Sequence, residues 1–146
     1  MSKNDTIEYV TKRVNSSVTI EGTLIRAKSI STRCSNIENL DIIVANFLEL
    51  DLISLFGEHS FSKIILIGVL EYVPKYSPIE TADPVDSLLR TCQKLLKPGG
   101  EVVIAIENKI GLKYLLGFEE DHYGKSHYGT QSLYKNKDIT TFTKTE

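Results

Sequence analysis

The sequence predicts an α/β fold in which a mostly parallel sheet is covered by helices on both faces, giving three layers. Three observations carry this. Short β-branched apolar runs alternate with segments whose apolar residues recur every three to four positions. The run 62–70 (SKIILIGVL) is apolar almost throughout, the pattern of a strand buried on both faces. Asp83-Pro84 opens a fully amphipathic stretch that Pro98-Gly99-Gly100 stops.

The elements follow in order. Val18-Thr19-Ile20 is a first strand, ending at Glu21-Gly22. Over 23–34, Leu24, Ala27, Ile30 and Cys34 share one helical face, and Ser35-Asn36 closes it. LDIIVA (40–45) is a second strand, 51–56 a helical turn before Gly57, and 62–70 a third strand. Asp83 can cap the next helix, with Pro84 at its first position and Asp86 near the positive dipole end. Val85, Leu88, Leu89, Cys92, Leu95 and Leu96 form its apolar face, and Lys94 and Lys97 its basic end. EVVIAIE (101–107) is the fourth strand, and 110–117 can form one more short helix. From 119 onward aliphatic residues thin out, so 1–117 reads as an α/β core and 118–146 as a polar C-terminal segment.

Composition narrows the function. The 146 residues carry 17 Lys plus Arg against 19 Asp plus Glu, a net charge of -2, with no general positive field for nucleic acid. The lysines at 109, 113, 125, 135 and 137 read as a solvated face. The longest apolar stretch, 64–70, is far short of the roughly 20 residues of a membrane helix. Met1 to Asp5 is polar with no apolar stretch behind it, so a cytoplasmic location is expected. Cys34 and Cys92 lie in no CxxC or Cys/His cluster, which argues against structural zinc or a disulfide framework.

Ligands of open parallel sheets bind beyond the carboxyl ends of the strands. The residues there are Glu21-Gly22, Asn46-Phe47, Glu71-Tyr72 and Glu107-Asn108. A carboxylate followed by glycine suits the two hydroxyls of a ribose, through short charge-assisted bonds; its plain alternative is a solvated residue at a helix start. Asn46 can offer an amide to an adenine edge while Phe47 stacks on the ring, although a lone aromatic more often belongs to the core. Glu71 and Tyr72 can line a pocket floor, or Glu71 can cap the loop holding Pro74 and Pro78.

The segments VTIEG (18–22), IIVANF (42–47), IILIGVLEYVP (64–74) and LLKPGGEVVIAIENKIGLKYLLG (95–117) together resemble the class I S-adenosylmethionine-dependent methyltransferases. More narrowly, LIGVLEYVP, KPGG and AIENKIGLKYLLGFEEDHYG look like a bacterial branch associated with cell-surface glycan synthesis. The resemblance spans 7–142 and implies a Rossmann-like domain with S-adenosyl-L-methionine as cofactor and a small-molecule or glycan acceptor. It places Glu21 and Gly22 at the cofactor ribose and Asn46 with Phe47 at the adenine. Gly68, Val69 and Leu70 fall beside the methionine portion, and Glu71 at the pocket mouth with Tyr72, Glu107 and Asn108 toward the acceptor. His122 is the candidate general base for a hydroxyl acceptor, with Glu71 as a second catalytic candidate; an exposed loop histidine is the plain alternative.

The likeness departs from the family at both ends. The family's first strand and glycine-rich loop are expected ahead of 6–13, and Met1 to Asp5 contains no glycine. The stretch 139–144 resembles the run into the helix before the last strands. The resemblance therefore implies a central piece of the domain with about four strands. The strand it lacks lies between those ending at Glu21 and Leu70, leaving two inner edges with unpaired backbone groups. Such edges pair directly, take a strand from another chain, as in a homo-oligomer, or leave the fold weakly stable. Two other readings stand beside methyl transfer: a non-catalytic interaction module, and a nicotinamide-dependent oxidoreductase in which KPGG and the IEN stretch have no role.

Overall fold

The computed structural model describes residues 17–77, 83–120, 122–134 and 139–143. The segment 6–13, with its likeness to a helix, lies outside the described residues, as do Pro78, Asp121, Lys135 and Lys137. The described residues are mixed α/β, with two pairs of parallel strands. β1 (Ser17–Glu21) runs through α1 (Leu24–Arg33) to β2 (Leu40–Val44), and the two strands pair from Ser17↔Leu40 to Glu21↔Val44. A 3-10 turn (Phe47–Glu49) and α2 (Leu52–Phe56) lead to β3 (Phe61–Ile67). A second 3-10 turn (Leu70–Tyr72), α3 (Val73–Tyr76) and α4 (Pro84–Leu95) connect it to its parallel partner β4 (Leu96–Ala105); α5 (Leu112–Leu115) follows.

Local chemistry explains the helix starts. Thr23, Asp51 and Asp83 each accept a backbone N–H from three residues on, that of Arg26, Ser54 and Asp86. At the far end of α4, the His59 and Ser60 N–H groups donate to the Lys94 and Leu95 carbonyls at 2.9 and 2.8 Å. They satisfy acceptors that a helix end leaves bare.

The fourth strand starts five residues before the predicted Glu101, directly where α4 ends. Phe61 pairs with Leu96 and Lys63 with Glu101, so Pro98-Gly99-Gly100 bulges out of the ladder instead of preceding it. Gly99 has φ +78, and a Cβ on Gly100 would lie 3.0 Å from the Lys97 carbonyl and 3.1 Å from that of Ser62. Gly100→Ala should therefore cost about 1–3 kcal/mol of overpacking, read as a lower urea midpoint; an unchanged midpoint would show that the bulge gives way freely.

The two pairs form two separate sheets, so direct pairing of the inner edges is not the arrangement of the described residues. The main core lies between β3, β4 and the helices α3 and α4: Leu66, Leu70, Val73, Leu88 and Cys92. Phe47, Leu48 and Phe142 pack against it, which ties the end of β2 and the C-terminal segment to this core. Burial of β3 on both faces is a correction. Ile64 and Leu66 face the core, whereas Ile65 and Ile67 are 57% and 70% exposed beside exposed Val103. The apolar run marks what the strand can bury, and α4 covers one face only. On α1, Ala27 alone is buried. No helix among the described residues is long and apolar enough to cross a membrane.

Candidate functional site

The carboxyl ends of β3 and β4 deliver Gly68 to Tyr72 and Glu107-Asn108, and the C-terminal segment folds over both. Lys109 N–H donates to the Phe142 carbonyl at 2.8 Å, and Thr140 N–H to the Glu71 carbonyl at 2.9 Å. Ile139 is buried. The polar tail thus returns to the strand ends.

Glu120 organises this return. It is 4% exposed, and its carboxylate accepts the N–H of His122 at 3.0 Å and of Tyr123 at 2.8 Å, together with the Tyr134 hydroxyl. Those three donors offset the cost of burying the charge. The turn holds the His122 side chain 6% exposed, with Nδ1 3.1 Å from the Tyr72 hydroxyl and the two rings edge to face. His122 Nε2 stands 4.0 Å from Glu107 Oε2 and 3.9 Å from Glu120 Oε1, without a hydrogen bond to either. Glu107 Oε2 accepts the Tyr114 hydroxyl at 2.8 Å. Beside this cluster is a cavity of about 10 Å³, room for one water, lined by Glu107, Asn108, Tyr114, Glu120 and Tyr128.

Burial raises the Tyr72 hydroxyl above the ordinary tyrosine range, and the charges of Glu71 and Glu107 add to it. Burial also raises Tyr134, reinforced by its hydrogen bond to Glu120. A folded pKa above the unfolded value of about 10 favours the fold below that pH, and the contribution is lost as pH rises through the folded value. Stability should therefore fall above pH ~10 as these phenols ionise, with tyrosine absorbance and unfolding moving together in an alkaline titration. Absorbance completing while the fold stays equally stable would contradict it.

Glu71 is 5% exposed, and its Oε2 has no hydrogen-bond partner among the described residues. Its Oε1 lies 3.7 Å from where a Cβ on Gly68 would stand, and Gly68 has φ +59. Glu21 is half-buried at the end of β1, with open space around Gly22. Asn46 is fully engaged: Oδ1 accepts the Leu48 N–H, and Nδ2 donates to Glu49 Oε1 at 3.0 Å and to the Tyr76 carbonyl at 3.4 Å. Phe47 and Val69 pack on the core, Leu70 is inside it, and Asn108 Oδ1 accepts the Ile110 N–H.

The structure thus brings Glu71, Tyr72, Glu107, Asn108 and His122 to one end of the β3–β4 pair, while Glu21 and Gly22 stand at the end of the other pair. Sequence reasoning missed Glu120, Tyr114 and Tyr134. The signal was a Glu two residues before His122 in a tail poor in aliphatics and rich in tyrosine. No group of three or more His, Cys, Asp or Glu among the described residues is placed to hold a metal. Comparison with protein-family models, curated proteins and solved structures finds no match.

Proposed function

We propose that this chain serves S-adenosylmethionine-dependent methyl transfer on a Rossmann-like, three-layer domain, toward a hydroxyl of a small-molecule or glycan acceptor. The observation behind the reading is the gathering of Glu71, Tyr72, Glu107 and His122 beyond the carboxyl ends of two parallel strands, where ligands of such sheets bind.

The residues present fit the cofactor at two points. Glu71 Oε2, buried and unpartnered beside Gly68, suits the ammonium of the methionine portion. Glu21, with open space at Gly22, suits the ribose hydroxyls. The amide of Asn46 is spent inside the protein, so adenine recognition is not assigned to it. When bound, the cofactor supplies an electrophilic methyl group. The chain's part is to align an acceptor hydroxyl with it and to take up the hydroxyl proton, the role given to the Tyr72–His122 pair.

Titration calorimetry with S-adenosylhomocysteine tests this. Binding is expected, with Glu21→Ala weakening it about tenfold, roughly 1.4 kcal/mol. Absence of binding, or preference for a nicotinamide dinucleotide, overturns it. A second reading, an interaction module, is favoured by the strand edges without a described partner and by exposed Ile65, Ile67 and Val103. Sedimentation as a tight monomer removes its self-associating form.

A further inference from the structure

We propose that Tyr72, not His122, is the catalytic residue that meets the acceptor's proton, and that His122 is a positioning residue behind it, with Nε2 protonated and Nδ1 receiving the Tyr72 hydroxyl. The assignment rests on the methyl-transfer reading for its chemistry, but its geometry stands alone.

Two observations fix the direction of the relay. The Tyr72 hydroxyl has a single hydrogen, and His122 Nδ1, at 3.1 Å, is its one hydrogen-bond partner among the described residues. The hydroxyl can donate to that nitrogen or accept from it, so the direction follows from the ring: with its hydrogen on Nε2, Tyr72 donates and Nδ1 accepts. On the other side of the ring, Nε2 lies between two carboxylate oxygens, Glu107 Oε2 at 4.0 Å and Glu120 Oε1 at 3.9 Å. A bare nitrogen lone pair facing two carboxylates is repelled, whereas an N–H there is attracted; the neutral ring carries its proton on Nε2. The raised pKa of Tyr72 agrees, since the phenol keeps its hydrogen.

This orientation removes Nε2 as a base. The side chain of His122 is also only 6% exposed. In the step, the acceptor oxygen forms its bond to the methyl carbon of the sulfonium cofactor, and the pair of the breaking S–C bond stays on sulfur. The acceptor's proton passes to the Tyr72 oxygen as the Tyr72 proton passes to His122 Nδ1. The product is a neutral tyrosine and an imidazolium whose charge falls beside Glu107 and Glu120.

The test needs neither cofactor nor acceptor. In protein labelled with 15N-histidine, the long-range 1H–15N spectrum of His122 should show the Nε2–H tautomer with an unprotonated, hydrogen-bonded Nδ1. Tyr72→Phe should shift that Nδ1 signal toward a free imidazole nitrogen. Diethyl pyrocarbonate should modify exposed His59 and His127 while His122 stays unlabelled. A wild-type Nδ1–H tautomer, or labelling of His122 as fast as His127, overturns the proposal, and the wild-type spectrum decides even where the variant fails to fold. Failure of S-adenosylhomocysteine to bind would instead strike the methyl-transfer reading and leave the tautomer as measured.

Discussion

Leu88→Ala is expected to lower stability by about 2–5 kcal/mol, the range for emptying a buried leucine site. Leu88 is 6% exposed in the core with Leu66, Leu70, Val73 and Cys92, so the lost methyl groups leave a cavity rather than a surface dent. A domain of this size holds only about 5–15 kcal/mol in total, so the change is a large fraction of the whole. Urea unfolding followed by circular dichroism measures it. A loss below about 1 kcal/mol would mean that the core collapses around the gap.

Glu120→Ala should act locally and almost as strongly. It removes the acceptor of three donors at once, the N–H groups of His122 and Tyr123 and the hydroxyl of Tyr134. Each buried donor left unpaired costs about 1–3 kcal/mol, less what water recovers as the turn relaxes, so a net loss of about 3 kcal/mol is expected. Amide exchange in 122–134 should accelerate while exchange in β3 and β4 stays slow. Uniform acceleration would show that the turn is part of the central cooperative unit. Glu120→Gln keeps one acceptor oxygen and should lose less.

What the sequence discloses depends on how local the cause is. α4 is legible from its own residues, because Asp83, Pro84 and the spacing of Leu88, Cys92 and Leu95 all act within a short stretch of chain. α2 is legible for the same reason, from Asp51 and Gly57. The early start of β4 is hidden, because Leu96 is drawn into the strand by Phe61, far back in the chain, and the Pro-Gly-Gly run serves a bulge as readily as a stop. The exposure of Ile65 and Ile67 is hidden because apolar character does not say which elements will cover a face.

The site divides along the same line. Glu71, Tyr72, Glu107 and Asn108 are legible from the rule that ligands gather at strand ends. Glu120 stands two residues before His122, but the histidine's other neighbours, Tyr72, Glu107 and Tyr134, come from three other stretches of chain, and no pattern in the sequence links them. Asn46 shows the reverse: its type and place suit a base edge, but Glu49 and Tyr76 occupy its amide.

Because the two strand pairs are separate sheets, each is closed by its own crossover, β1 to β2 through α1 and β3 to β4 through α3 and α4. Among the described residues no ladder hydrogen bond passes from one pair to the other, and the link includes the packing of Phe47 and Leu48 on the core and the bond from Asn46 to Tyr76. Side-chain contacts of this kind transmit rotation poorly compared with a continuous sheet. Among the described residues the two pairs are therefore joined by packing and single hydrogen bonds at the ends of β2 and β3, not by a shared ladder. Glu21 stands at the end of one pair while Glu71 and Tyr72 follow the other, so their separation is held by packing and not by a strand register.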